Sequence, residues 1–570
     1  MYNNYKLNNQ GGIMNYKPIP IGVENFKDII DKGYYYVDKT LFIKDILDNK
    51  SYVNLYTRPR RFGKTLNISM LQYYFEKSDE DTSYLFGGLN ISKQGEKYKR
   101  YQGQYPVISI SLKSMKQETF ELSLNEFKKI ISNEFRRHRI ILDSDKIFNA
   151  DKDEFLKICN RCGDYSTYNT ALKLLSDCLF EFYNKKVIIL IDEYDVPLES
   201  AYFRGYYDEM VNLIRSVFES ALKTNNSLEF GVLTGCLRVS KESIFTGLNN
   251  LAVYSVTDDL FSEYFGFTES EVRQFADYYG LSEYFKDLKT WYDGYRFGNT
   301  EIYNPWSILN YIHFTRGNKN NVLKSYWSNT SSNDIIHKLI TEGDEDIKDT
   351  VENLVNGGMI SKPLYEDITY RNINVNSDYI WSFLLYTGYL KAVRIYLSGN
   401  TLYADIVIPN REVTSIYENT IMQWFNEKIV STSRDELFNA VISGNTLQFE
   451  EILLDWLEDT ISYYDTKENY YHGFLAGLLS GFKGYKTESN RENGIGRSDI
   501  ILLEQRRHKL AVIIEIKVAD EFSQLSQKCD DALIQIEEKQ YDMQLKRDCY
   551  QQIIKYGVAF YKKSCMIKKT

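Results

Sequence analysis

Two stretches of this sequence carry residue types at spacings that handle phosphate. The first is Arg58-Pro59-Arg60-Arg61-Phe62-Gly63-Lys64-Thr65. Before it, Tyr52 to Tyr56 has the aromatic and β-branched content of a short buried strand. After it, Leu66, Met70 and Tyr74 fall at i, i+4 and i+8, with Leu71 and Phe75 alongside, which is one apolar stripe of a helix. In a strand, a loop ending in Gly-Lys-Thr and a helix, backbone N–H groups and the helix N-terminus converge on a phosphate. Gly63 would let the backbone approach, Lys64 would reach the β- and γ-phosphates, and the Thr65 hydroxyl would sit on Mg²⁺. The full pattern asks for Gly where Arg58 stands. Arg58, Arg60 and Arg61 would supply positive charge to phosphates instead; the bland reading is an exposed basic turn.

Further along, KKVIILIDEYDVPL places a five-residue apolar run before Asp192-Glu193. Such a run reads as a buried parallel strand, delivering Asp192 to its C-terminal end, where ligands bind in open α/β sheets. Asp192 would hold Mg²⁺ and Glu193 would polarise an attacking water. Asp195 and Tyr194 complete the turn. A third strand, Leu228 to Leu233, ends in Thr234-Gly235 and is followed by Arg238. Thr234 reads as a γ-phosphate sensor or a helix cap, and Arg238 as a charge stabiliser in cis or in trans or a surface arginine. Val107 to Leu112 is a fourth strand, and the alternation with helical segments predicts a mostly parallel α/β sheet.

The second stretch is NRENGIGRSDIILLEQRRHKLAVIIEIKVAD. Asp499 opens the apolar run Ile500 to Leu503, and a charged turn separates it from Leu510 to Ile514, which continues into Glu515-Ile516-Lys517. Residues i and i+2 of a strand share a face, so Glu515 and Lys517 are neighbours while Ile516 points to the core. Asp499 and Glu515 would form a hard oxygen site for Mg²⁺ or Mn²⁺, with Lys517 orienting the water or stabilising charge on a scissile phosphate. D-x15-E-x-K alone also occurs in exposed edge strands.

The elements that must position these groups lie within 570 residues. That length suggests about three or four domains. Lys and Arg number 69 against 78 Asp and Glu, a net charge of −9. This balance argues against a surface that coats nucleic acid throughout, while leaving room for a local basic groove. The longest apolar runs, Val187 to Ile191 and Leu510 to Ile514, fall far short of the roughly 18–20 residues of a membrane helix. The N-terminus reads as an Asn-rich disordered tail without a secretory core. Seven cysteines without framework spacing point to a reducing compartment, and Cys159 and Cys162 read as ordinary thiols. Five scattered histidines argue against a His-based metal or triad site. In the middle, YIWSFLLYTGYL predicts a buried helix stopped at Gly388, followed by strands Leu390 to Ile395 and Leu402 to Ile408.

Four runs, IPIGVENFKDIIDKGYYYVDKTLFIKDIL, LYTRPRRFGKTLNISML, IDEYDVPL and LTGCLRVSKESIFTGLNN, resemble the bacterial AAA-ATPase-like family over roughly residues 16–250. In that family the RPRRFGK loop is usual. The resemblance implies ATP and Mg²⁺ at Lys64, Thr65, Asp192 and Glu193. It also implies an adenine-side or structural role for Tyr36 to Thr40. NYYHGFLAGLL, NRENGIGRSDIIL, VIIEIKVA and ALIQIEEKQY resemble the PD-(D/E)XK nuclease superfamily over about residues 465–562. That resemblance implies Asp499, Glu515 and Lys517 as the catalytic set, with Gln535 close by and Glu468 as the first-helix acid. Ser498 stands where the superfamily has Pro.

The expected architecture is α/β and multidomain. A disordered tail (1–15) precedes a P-loop NTPase domain with a parallel sheet (16–260). A helical, winged-helix-like module (261–410) and a helical linker (411–464) lead to a nuclease-like α/β domain (465–570). The expected activity is an ATPase coupled to a metal-dependent nuclease on DNA or RNA, cytoplasmic and without a membrane, with homo-oligomers compatible. The alternative is an ATP-dependent switch whose last domain binds nucleic acid without cleaving it.

Overall fold

A computed structural model describes residues 5–7, 13–238, 244–245, 249–317, 323–327, 336, 345–368, 370, 378–428, 433–460, 468–479, 482, 484–493, 496–505 and 509–570. The chain divides into two compact units, residues 1–331 with 357–414 and residues 332–356 with 415–570.

The first unit is organised by a five-stranded sheet: β1 (Val53–Thr57), β2 (Val107–Ser111), β3 (Val187–Asp192), β4 (Leu228–Gly235) and β5 (Leu251–Tyr254). All neighbours run parallel, in the order β2-β3-β4-β1-β5. The central strands β1 and β3 are buried along their whole length, which is why Val187 to Ile191 of β3 reads as an unbroken apolar run. β4 lies between β1 and β3, so the loops after β1 and β3 open at the same end of the sheet with the end of β4 between them. Helix α1 (Lys64–Phe75) follows β1 and buries Ile68, Met70, Leu71, Tyr74 and Phe75.

Of the region 261–410, residues up to 331 and from 357 onward cluster with this sheet, and residues 332–356 belong to the second unit. Short strands at Phe267–Thr268, Tyr295–Phe297 and Thr300–Tyr303 form one antiparallel sheet, and helix α2 (Pro305–Gly317) follows. Phe62, inside the loop after β1, packs edge-on to Tyr295 and against Phe297. The expected helix is present at Asp378–Thr387, and Gly388 follows with φ 90°. Lys391–Ser398 and Thr401–Val407 then pair as a hairpin, joined by Ile360–Pro363. Helix then hairpin is the predicted order, but residues 357–414 cluster with the first unit as part of its body. Where a tail was expected, Tyr5–Leu7 pairs antiparallel with Ile13–Asn15.

In the second unit, β6 (Tyr485–Asn493), β7 (Gly496–Glu504), β8 (Leu510–Val518), β9 (Gln552–Tyr561) and β10 (Ser564–Lys569) form a mixed sheet in chain order. Only β8 and β9 are parallel. They are joined through helix α4 (Leu525–Glu538), as a parallel pair requires. Gly557 sits opposite Glu515 on β9; a Cβ there would lie 2.3 Å from the Cys529 carbonyl oxygen. The bare glycine lets α4 lie against the strand. Helix α3 (Glu468–Leu478) precedes the sheet. The segment read as a linker forms helices that engage this sheet: the Tyr556 hydroxyl donates to the Val441 carbonyl at 2.8 Å, and Ile567 N–H donates to Glu450 Oε2 at 2.8 Å. No described helix is long and apolar enough to cross a membrane.

Candidate functional sites

At the C-terminal end of the parallel sheet, Asp192 ends β3 with its carboxylate held on both oxygens. The Thr65 hydroxyl, at the start of α1, donates to Oδ2 at 2.7 Å, and the Thr234 hydroxyl, at the end of β4, donates to Oδ1 at 2.5 Å. Three residues 127 and 42 positions apart are thus within direct bonding distance. Burial, then the charge of Glu193, raises the Asp192 carboxyl above the ordinary range, against the pull of both hydroxyls. Glu193 takes a left-handed backbone (φ 53°) and its N–H faces the Thr234 hydroxyl at 3.4 Å. Non-glycine residues in that region are held there by their surroundings and cluster at working sites.

Lys64 is buried, and its ammonium donates to the carbonyls of Arg58 and Pro59 at 3.0 Å each, with Cys236 Sγ at 3.6 Å. Burial opposes its charge, but Cys236, Glu193, Asp195 and Asp192 outweigh it and hold the pKa above normal. Gly63, φ 84°, caps α1 in a left-handed conformation that suits glycine. Arg61 shares that region at φ 70°, and its guanidinium lies 4.6 Å from the Trp306 ring centroid.

Three of the loop residues, Arg58, Phe62 and Arg60, are turned elsewhere. Arg58 is wholly buried, donating to the carbonyls of Thr57 at 2.8 Å and Tyr254 at 2.9 Å, between the rings of Phe265 and Phe297. Burial lowers its pKa to about 10. It stitches β1 to β5 from inside, so the residue in the missing glycine's place is a core residue. The Phe62 ring is also buried; what it offers is its carbonyl, which accepts from Gly266 N–H at 3.0 Å. Arg60 is ion-paired with Glu199. Arg238 is paired with Asp367 at 2.8 Å and lies 3.6 Å from Glu366.

A cavity of about 240 Å³ opens over this loop, lined by Gly63, Lys64, Thr65 and Glu193 together with residues the motif gives no hint of, among them Tyr35 and Trp306. Tyr36 and Val37 line it as well, so part of the segment Tyr36 to Thr40 reaches the same space. Asp195 was read only as part of a turn. Its Oδ2 accepts from Cys236 N–H at 2.7 Å and Leu237 N–H at 2.9 Å, and burial pushes its carboxyl up to about 6. It fixes the segment leaving β4.

In the second unit, the register Ile500 to Ile514 sets Asp499 beside Glu515. Asp499 Oδ2 accepts from Ile516 N–H at 2.8 Å, and Asp499 N–H faces Glu515 Oε2 at 3.4 Å. Lys517 Nζ lies 3.6 Å from Glu515 Oε1, and Ile516 is buried on the other side of the strand. From α4, the Gln535 amide donates to the Glu515 carboxylate and lies 3.3 Å from the Tyr541 hydroxyl. All four expected residues therefore meet. His472, on α3, was missed: its Nε2 lies 2.9 Å from the Asp499 carbonyl. Nothing in the sequence spacing links positions 472 and 499. The side chains of Glu468, Arg491, Arg497 and Ser498 lie outside the described residues.

Glu515 is 1 % exposed, and burial, then the charge of Asp499, pushes its carboxyl up to about 7 against the help of Lys517. Two carboxylates with one lysine is a donor set that fits a hard divalent cation. In the metal-free chain the raised value carries a sign. Glutamate in the unfolded chain ionises near its ordinary 4.5, while the folded one stays protonated until about 7. Its contribution to stability is fully present below about pH 4.5 and is lost as pH rises to 7, a change on the order of 2–3 kcal/mol. Thermal unfolding in chelator across that window will show a decline that Glu515→Gln flattens. Equal slopes in the two proteins would place the Glu515 carboxyl in solvent.

A parallel sheet with its phosphate loop and its acidic strand on either side of a Thr-bearing strand defines a P-loop nucleotide-binding class, here joined to a nuclease-type mixed sheet. Comparison with known families agrees. Residues 20–245 match the predicted AAA-ATPase model, and residues 466–570 match the PD-(D/E)XK nuclease superfamily. The chain therefore carries an AAA-ATPase-like domain followed by a PD-(D/E)XK nuclease superfamily domain. Among curated proteins, an "Uncharacterized protein in vnfD 5'region" of Azotobacter chroococcum mcd 1 is 28% identical over 342 residues. That match covers 58% of this chain and 57% of the relative, so the chain spans little more than half the relative's length.

Proposed function

We propose that the first unit binds and hydrolyses ATP with Mg²⁺, and that the second cleaves DNA or RNA phosphodiesters with Mg²⁺ or Mn²⁺, nucleotide state controlling cleavage. The observation that carries the reading is the Asp192 carboxylate bonded at once to Thr65 and Thr234. It brings two hydroxyls and a carboxylate to one point beside the phosphate loop. Mg²⁺ held by Thr65 and Asp192 would neutralise phosphate charge. Lys64 would leave the Arg58 and Pro59 carbonyls for the β- and γ-phosphates. Glu193 would take the proton of the attacking water, and Thr234 would report the γ-phosphate through Asp192.

In the second unit Asp499 and Glu515 would hold the metal, which when bound supplies a water of lowered pKa and charge for the phosphate. Lys517 would orient that water, and Gln535 would keep Glu515 in place. The seven cysteines lack framework spacing, which supports a reducing, cytoplasmic setting. Incubating the whole chain with plasmid and single-stranded substrates and Mn²⁺, with and without ATP, while following phosphate release, tests both halves. Phosphate release together with nicking that changes with ATP supports the proposal. Nucleotide binding without any nicking, in every nucleotide state, would leave a switch that holds nucleic acid uncut.

A further inference from the structure

A triphosphate needs more positive charge than Lys64 alone supplies, and the arginines of the loop are committed: Arg58 to carbonyls, Arg60 to Glu199, Arg61 to the Trp306 face. Lys39, which also lines the cavity, is buried against Glu271 at 2.6 Å. Two other lysines line it, Lys113 and Lys116, on the loop leaving β2. That loop is anchored at the phosphate end of the sheet. Leu112 N–H donates to the Asp192 carbonyl at 3.0 Å, and Leu112 and Met115 are both buried. The buried pair leaves Lys113 and Lys116 outward, three residues apart, with exposed side chains.

Lys116 has no ion pair among the described residues. Lys113 holds both oxygens of Glu24 at 2.9 Å, and Glu24 lines the same cavity. This pair is about half exposed on each side (55 and 44%), and exposed pairs of that kind are weak and readily exchanged. A phosphate bearing more charge than one carboxylate would outcompete Glu24 for the ammonium.

We propose that Lys113 and Lys116 are the cations that engage the terminal phosphate of the nucleotide, and that Lys113 exchanges Glu24 for that phosphate. The inference rests on the ATP-binding reading above and adds the residues by which the site would tell a triphosphate from a diphosphate. Glu24 is the competing anion that keeps the site selective: a diphosphate, lacking the γ-group, leaves the Glu24–Lys113 pair closed.

The test is calorimetric titration of the full chain with Mg²⁺–ATPγS and with Mg²⁺–ADP. The Lys113→Ala/Lys116→Ala double variant is expected to weaken ATPγS binding about tenfold, the loss of roughly one charge-assisted contact, with ADP binding within twofold of wild type. Glu24→Gln is expected to tighten ATPγS binding severalfold and to leave ADP unchanged. Lys113→Gln, which keeps most of the side chain, should weaken ATPγS in the same direction. Equal weakening for both nucleotides, or none for either, overturns the inference while the ATP-binding reading stands. A wild-type chain that binds neither nucleotide brings down that reading and the inference together.

Discussion

Under the proposed ATPase function, Lys64→Ala is expected to lower ATP turnover by roughly a hundredfold to a thousandfold, the loss that follows removal of one preorganised charge from a phosphate's developing negative charge. Two features make the effect large. The ammonium is buried, so its charge acts with little screening by solvent. It is also surrounded by Glu193, Asp195 and Asp192, which would repel an incoming triphosphate once the lysine is gone. The substitution strips the Arg58 and Pro59 carbonyls of their donor as well. A thermal-unfolding control therefore accompanies the phosphate-release assay, and Glu193→Gln serves as partner: it should keep nucleotide binding and lose hydrolysis, since the role proposed for Glu193 is on the water and not on the phosphate. Turnover within threefold of wild type in Lys64→Ala would remove the loop from the chemistry.

The second large effect is at the other site. If the second unit cleaves as proposed, Asp499→Ala and Asp499→Asn are both expected to lower Mg²⁺-dependent cleavage by on the order of a thousandfold, because a metal-bound water would contribute several kcal/mol to phosphodiester cleavage. The two variants separate chemistry from architecture. Asparagine keeps an oxygen for the Ile516 N–H that Asp499 now accepts, and alanine leaves that N–H without an acceptor. An unsatisfied buried N–H costs about 1–3 kcal/mol, so the unfolding midpoint should fall in the alanine variant and hold in the asparagine one. Nicking assays on both proteins, read beside their melting curves, decide the matter. An asparagine variant that nicks plasmid at the wild-type rate would show that the carboxylate holds no catalytic ion.

Much of this was legible before any coordinates because the relevant pieces are local. β3 is a buried central strand, so Val187 to Ile191 had to be continuously apolar, and the first residue after them had to emerge at the ligand end of the sheet. Alternation along β8 put Glu515 and Lys517 on one face and Ile516 on the other, as the i, i+2 rule requires. The middle helix and its two following strands are likewise legible from a buried aromatic run ending at Gly388, and the structure differs from the expected boundaries by a few residues.

Other parts were not legible, and Arg58 is the clearest case. Read along the chain, it is one of three arginines in a basic loop; in the folded chain its first neighbours are the carbonyl of Tyr254 and the rings of Phe265 and Phe297, about 200 residues away. A guanidinium that pays for burial with carbonyl acceptors leaves no trace in spacing. The packing of the segment after residue 260 against the loop is illegible for the same reason: it runs through Phe62, Tyr295 and Phe297, each an ordinary aromatic in its own segment.

By itself, then, the order of residues determined which segments become buried strands, which loop ends in Gly63-Lys64-Thr65, and which face of β8 carries charge, since each depends on steric and solvent preferences acting over a few neighbouring residues. Only the tertiary structure decided that Asp192 would stand between Thr65 and Thr234, that Glu24 would hold Lys113, and that His472 and Gln535 would close on the Asp499–Glu515 pair. Those contacts join positions tens to hundreds of residues apart, and they arise from strand order and helix packing, which no local periodicity encodes.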